Sequence, residues 1–399
     1  MEYRTFDALQ CGFPRPHVPV LPPPQWRDLR IRRQFRPDRQ LESSSWQFLA
    51  RGRYALTQAY RLAGLAPDTT VLLPSYHCRT MLDPAISLGG QIALYPLNSD
   101  LTVDLAGLQR CLDGAGAPAV ALLVCHFFGY PQSLDALLAW CRKNRIHLIE
   151  DCSHCLVADV ESGLVGRTGD FGVASPYKFF PSEDGGLFWS NNGTWGGPIR
   201  EPSMRQQLRS AARLFAGLAP GINTAHSARS HTVAVTLPDI RIPDLPDRTA
   251  VSSRLSDQYV PAMEGLAALA TSRWITDHTD RATLSRRRVA HYRQWAARAA
   301  ALPHCKVLFP DLPPSVIPYM FPLLIDHPDP HFYLLKHLGV PIWRWDDMAV
   351  SGCANAAAYR TRLLHLPCHQ GLSEQQMDWM MDTMALVLRS PLSHSGFKS

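Results

Sequence analysis

An α/β fold, with a mostly parallel sheet in a large domain and a smaller α+β domain toward the C-terminal end, is what this sequence predicts. Two observations carry that expectation. Strand-like apolar runs alternate with helix-like stretches from about residue 52 to residue 190, the pattern that builds parallel sheets. The chain also has 399 residues, and domains of roughly 100 to 200 residues make two the natural division.

Residues 1–45 are rich in proline and arginine, as in Pro14-Arg15-Pro16 and Pro22-Pro23-Pro24, and show no sustained period. They are expected to form an extended N-terminal arm, followed by a large domain over 46–280 and a small one over 281–399. In the large domain Leu56, Ala59 and Ala63 fall near helical spacing and precede the strand-like run Val71-Leu72-Leu73. Further strands are expected at Ile92 to Tyr95, Val120 to Val124 and Ile146 to Ile149. Between the last two, Ser133 can cap a helix whose Leu134, Leu137, Leu138 and Cys141 fall at i, i+3, i+4 and i+7. Gly185-Gly186 then turns the chain into Leu187-Phe188-Trp189.

From about 190 to 250, glycine, proline and arginine interrupt any period. A helix over about 281–300 carries Val289, Tyr292, Trp295 and Ala299 on one face and leads into the second domain. There Tyr319 to Ile325 reads as a strand and Phe332 to Leu338 as a helix. Ser373, with Gln376 three residues on, forms a capping box for a last helix.

Composition excludes several classes. Apolar residues make up 46% and charged residues 19%, an ordinary globular balance. The net charge of +6 comes from a Lys and Arg total of 40 in which only Lys143, Lys178, Lys306, Lys336 and Lys398 are lysines. The arginines are scattered, and no long basic run reads as a nucleic-acid arm. No run of about 18 apolar residues suggests a membrane span, and the N-terminus lacks the apolar core of a secretory signal. A cytoplasmic protein is expected. Its ten cysteines, spread through a large chain, are expected to be reduced thiols. Cys152-Ser153-His154-Cys155 has CxxC spacing, but a second half-site and an HExxH helix are both missing, so no metal site is assigned.

In parallel sheets ligands bind at the carboxyl ends of strands, which directs attention to Asp151 after Ile146 to Ile149. Ser175-Pro176-Tyr177-Lys178 follows the glycine-punctuated stretch 166–172 and precedes Glu183-Asp184-Gly185-Gly186. A lysine used in Schiff-base chemistry needs a primary amine in a partly desolvated pocket. Alone, Asp151 reads as a helix N-cap or loop carboxylate, and Lys178 as a solvated surface group.

As an arrangement they are more specific. Strand, Asp151, glycine-rich return, Ser175, Lys178 and Gly-Gly turn resemble the cofactor site of fold-type I pyridoxal phosphate enzymes, especially the DegT/StrS family of sugar aminotransferases. Similar stretches include Gly52 to Leu56, Leu73-Pro74-Ser75-Tyr76-His77, His126-Phe127-Phe128-Gly129, Ile149-Glu150-Asp151, Gly169-Asp170 and Leu366-Pro367-Cys368-His369.

The resemblance implies a fold-type I transferase with pyridoxal 5'-phosphate as cofactor. Lys178 would carry it as a Schiff base and act as acid and base; Asp151 would pair with its ring nitrogen. Ser175 and the backbone amides of Arg53 and Tyr54 would hold its phosphate at a helix N-terminus. His154 stands where the family has a glutamine reaching the phenolic oxygen. Tyr76, His77 or Cys78 would cover the ring, with His77 assigned to the site. Asn223, in Gly221-Ile222-Asn223, would reach the neighbouring subunit's cofactor in a homodimer.

The implied reaction takes an amino group from a small-molecule donor, glutamate or glutamine, to a keto-sugar or related carbonyl acceptor. The alternatives are another pyridoxal phosphate reaction, such as a lyase, decarboxylase or carbon-carbon bond-forming step, or an inactive relative acting as a binding partner. Lys178 and Asp151 argue against the last, since an inactive protein needs neither. Three departures from the family stand out: the Ser175 to Lys178 interval is two residues short, the glycine-asparagine-arginine stretch is reduced, and the proline-rich N-terminal arm is not assigned to the family's sugar site.

Overall fold

The computed structural model describes residues 1–30, 45–156, 165–193, 197–218 and 247–390. The first strand, β1 (Glu2–Phe6), lies apart from a seven-stranded sheet. That sheet comprises β2 (Ser45–Leu49), β3 (Thr70–Pro74), β4 (Gln91–Tyr95), β5 (Ala119–Cys125), β6 (His147–Asp151), β7 (Phe171–Ala174) and β8 (Gly186–Ser190), in the order β2-β8-β7-β6-β5-β3-β4. From β7 across to β4 every neighbour is parallel; β8 and β2 add an antiparallel edge.

The expected strands are all present. Every residue of β3 and residues 121–125 of β5 are buried, as continuous apolar runs must be when both faces of a parallel sheet are covered. The crossovers are α1 (Gly52–Leu62), α2 (Arg79–Ser87), α3 (Leu105–Asp113) and α4 (Asp135–Asn144), and α1 packs on β7 and β8. Ser133 does not cap α4. The N-cap is Leu134, whose side chain makes no cap and is buried. Burying a leucine contributes roughly 2 kcal/mol against about 1 for a cap, so the apolar anchor fixes where the helix starts.

After α5 (Met204–Leu218), β9 (Asp247–Val251) and α6 (Ala270–His278), the long α7 (Arg281–Ala299) leads to a second, antiparallel sheet. Asp280 caps α7 by accepting from the Thr283 amide. The sheet runs β10 (Cys305–Val307), β11 (Met320–Ile325), β13 (Leu363–Pro367), with α8 (Pro328–His337), α9 (Ala354–Arg362) and α10 (Glu374–Arg389) beside it. Trp295 of α7 stacks on Phe321 of β11, with centroids 5.8 Å apart. Both hydrogen bonds of the capping box at Ser373 and Gln376 are made. α8 starts earlier than its apolar pattern because Pro328 occupies the first turn, where its missing N–H costs nothing.

β1 lies between β9 and β12 (Met348–Ala349), antiparallel to both. Phe6 and Phe13 then meet Phe332 edge-on, and the Pro19 carbonyl lies 2.9 Å from His369 Nε2. Among the described residues no helix is long and apolar enough to cross a membrane.

Candidate active site

The site forms where β6 ends. Asp151 pairs in register with Cys125 of β5 and Val173 of β7, so the carboxyl ends of three parallel strands meet there. One pocket is lined by Asp151, Ser153, Ser175 and Lys178 together with Arg53 at the start of α1 and Cys78 after β3.

Asp151 is buried. Its Oδ1 accepts the Ser153 amide at 2.9 Å, and its Oδ2 accepts the Cys125 thiol at 3.5 Å. Burial, and next the Asp151 carboxylate, push the Cys125 thiol well above its usual range, so it remains a donor. Lys178 closes a short turn, Pro176–Lys178, whose amide returns to the Ser175 carbonyl at 3.1 Å. Its Nζ lies over the Tyr319 ring, 5.3 Å from the centroid.

A close approach of the α1 start to Ser175 places two hydroxyls at a helix N-terminus beside Lys178. Ser175 and Ser153 hydroxyls are 3.0 Å apart, and a Cβ on Gly52 would fall 2.2 Å from Ser175 Oγ. A side chain at Gly52 would push the Ser175 hydroxyl out of this position. The Arg53 amide, in the helix's first turn, has no carbonyl one turn back to bond. The Tyr54 amide donates instead to the Arg51 carbonyl at 3.0 Å; Tyr54 is buried and its hydroxyl lies 3.1 Å from the Val260 carbonyl.

His154 is not on the wall itself but packs near it. Its ring stacks on Tyr319 with centroids 4.3 Å apart, and its Nδ1 accepts the Phe128 amide at 3.2 Å. Burial, then the neighbouring Lys178 charge, hold it well below the usual imidazole range. It is therefore neutral, with its remaining proton on Nε2.

His77 turns away. Its Nε2 accepts the Ala349 amide at 3.3 Å and its Nδ1 donates to the Cys78 carbonyl at 3.2 Å, with burial bringing its pKa down to about 4. Tyr76 is also buried, 2.8 Å from His365 Nε2. Of these three consecutive residues Cys78 lines the pocket, its Sγ 3.0 Å from Thr80 Oγ1. Asn223 lies outside the described residues.

Cys152 and Cys155 face the Glu150 and His126 carbonyls, and burial pushes both thiols well above their usual range, the opposite of what a reactive pair needs. Cys152 also lies near His126 and Glu150. That carboxylate accepts the Gly166, Thr168 and Gly169 amides and pairs with His126, which ties down the return loop. All ten cysteines are free thiols.

Ser153 and Cys125 were not among the expected site residues, although Cys125 directly follows the strand Val120 to Val124 and Ser153 lies two residues past Asp151. Tyr319 reads in the sequence only as the start of a strand, and nothing in its sequence neighbourhood points to this pocket.

Comparison with known proteins agrees with this geometry. Residues 49–228 match the DegT/DnrJ/EryC1/StrS aminotransferase family. A UDP-N-acetyl-3-dehydro-alpha-D-glucosamine 3-aminotransferase from Acidithiobacillus ferrooxidans is 24% identical over 35% of this chain and 38% of its own length. A dTDP-4-dehydro-2,3,6-trideoxy-D-glucose 4-aminotransferase from Saccharopolyspora spinosa is 27% identical over 50% of this chain and 48% of its own. The chain thus matches under half the length of each. Helicobacter pylori PseC, an aminotransferase involved in the biosynthesis of pseudoaminic acid, has the same fold: TM-score 0.61 over 93% of this chain and 99% of PseC, at 12% identity.

Proposed function

From the match of residues 49–228 to the DegT/DnrJ/EryC1/StrS aminotransferase family, we propose that this chain is a pyridoxal phosphate-dependent aminotransferase. It takes an amino group from an amino acid, glutamate or glutamine, and delivers it to a keto-sugar or related biosynthetic ketone or aldehyde. One observation carries the reading: Asp151 at the end of β6, Ser175 and Lys178 of the turn after β7, and Arg53 at the start of α1 line a single pocket.

Those residues fit the cofactor. A primary amine, a buried carboxylate and a hydroxyl-lined helix N-terminus are the three groups that its aldehyde, ring nitrogen and phosphate require. Bound there, pyridoxal phosphate supplies an electron-withdrawing ring conjugated to the amino carbon of the donor. The protein supplies the rest. Lys178 holds the cofactor and then moves a proton at the donor's α-carbon. Asp151, kept in place by Ser153 and Cys125, holds a proton on the ring nitrogen. Ser175, Ser153 and the first turn of α1 bind the phosphate. His154, whose neutral ring is fixed beside the pocket by Phe128 and Tyr319, is the residue that would offer a proton, from Nε2, to the phenolic oxygen.

The acceptor class rests on the relatives, which are named for dehydro-sugars linked to UDP or dTDP. The free thiols support a reducing, cytoplasmic setting. A homodimer is supported by Met204, Leu208 and Phe215 of α5, which are 73%, 63% and 65% exposed.

Incubation with amine-15N glutamate or glutamine tests the proposal. Without acceptor, one 2-oxo acid should form per chain; with a nucleotide-linked keto-sugar, the label should appear in the sugar. Release of carbon dioxide, or of ammonia with no amine reaching a carbonyl, would assign a different reaction.

A further inference from the structure

Arg288 of α7 is wholly buried, a costly place for a charge unless every donor is satisfied. Burial brings its pKa down to about 10, so it is still charged at neutral pH. Its partners are unusual: four backbone carbonyls and one side-chain amide. Nη2 donates to the Lys178 carbonyl at 3.0 Å and the Phe179 carbonyl at 3.4 Å. Nη1 donates to the Tyr319 carbonyl at 2.9 Å and the Pro318 carbonyl at 3.2 Å. Nε donates to Gln370 Oε1 at 2.9 Å. The guanidinium also sits over the Phe179 ring, 4.7 Å from its centroid, and Gln370 Nε2 donates to the Phe179 carbonyl at 2.8 Å.

These bonds join segments far apart in sequence: the turn that ends in Lys178, the entry to β11 at Tyr319, and the turn after β13 at Gln370. The first two bear on the pocket. The Lys178 amine lies over the Tyr319 ring, and that ring stacks on His154. A planar guanidinium with five fixed donors thus sets the spacing of the two main-chain points from which this amine and this ring project.

We propose that Arg288 is a positioning residue: aided by Gln370, it fixes the Lys178 main chain relative to Tyr319 and so sets where the Lys178 amine meets an aldehyde. This rests on the proposed role of Lys178. A lysine at 288 would keep the charge but could not span the carbonyls of residues 178–179 and 318–319 together, because its donors share one nitrogen. Small misplacements of a reacting group cost rate steeply.

The test uses the full chain stripped of cofactor and the rate at which added pyridoxal phosphate reacts with Lys178, trapped by borohydride and measured on the Lys178 peptide. Lys143, exposed on α4, gives an internal reference for the reagent. Leu284→Ala is the control, a buried core residue one turn earlier in α7 that should lower thermal stability without moving Lys178. In Arg288→Lys, Lys178 labelling relative to Lys143 should fall about tenfold or more, while Leu284→Ala keeps the wild-type ratio.

An unchanged ratio in Arg288→Lys, or an equal fall in Leu284→Ala, overturns the proposal. If Arg288→Lys does not fold, Gln370→Leu decides, with a severalfold fall expected and no change contradicting. Wild-type labelling no faster at Lys178 than at Lys143 would instead refute the cofactor reading on which the proposal stands.

Discussion

Asp151 spends one carboxylate oxygen on the Ser153 amide and the other on the Cys125 thiol, and both hold it at the end of β6. Asparagine can keep the amide contact through its own oxygen, so Asp151→Asn should fold, at a cost of about 1 kcal/mol. Lys178 and the Ser175 cradle would still bind cofactor. In the proposed role, losing the negative charge would leave the ring nitrogen less readily protonated and the ring a weaker electron acceptor. The donor half-reaction should slow at least about tenfold, or about 1.4 kcal/mol, as stopped-flow absorbance would show. Near-normal rates would reduce Asp151 to a turn residue. At this scale Asp151, Ser175 and Lys178 were legible because strand ends and glycine turns bracket them. His77 was not. Beyond a strand end alternation no longer tells which neighbour faces the pocket, and it is Cys78 that does.

Among the elements, α1 shows how sequence and site connect. Gly52 leaves the Ser175 hydroxyl room beside the helix start, where an anion can bind. α5 is a different case. Met204, Leu208 and Phe215 recur on one face at spacings of four and seven residues, yet they are exposed, and apolar patches of this kind mark interfaces. If a second copy covers the face, Leu208→Glu with Phe215→Glu should convert a dimer to a monomer in light scattering without unfolding the chain. A wild-type monomer, or a double variant that remains a dimer, would contradict this. The α5 period was hidden in the sequence by arginines at 205, 209 and 213. α7 and α10 were readable because they bury ordinary apolar stripes and α10 carries its own capping box.

At the scale of the whole molecule, the parallel sheet was legible from alternating local patterns, since each strand and crossover is contiguous in sequence. The place of β1 was not. Tyr3 pairs with Ala250 and Ala349, partners hundreds of residues away, and a Pro-rich stretch offers no pattern that names them. The same holds for Arg288, which reaches Lys178 across 110 positions. The chemistry nevertheless converges on one amine that the fold holds in a pocket, with Asp151 and an anion cradle beside it. Borohydride reduction of cofactor-loaded protein, followed by peptide mapping, tests this most directly. The phosphopyridoxyl group should be found on the peptide containing Lys178, at about one per chain; its appearance instead on Lys143, Lys306, Lys336 or Lys398 would contradict the account.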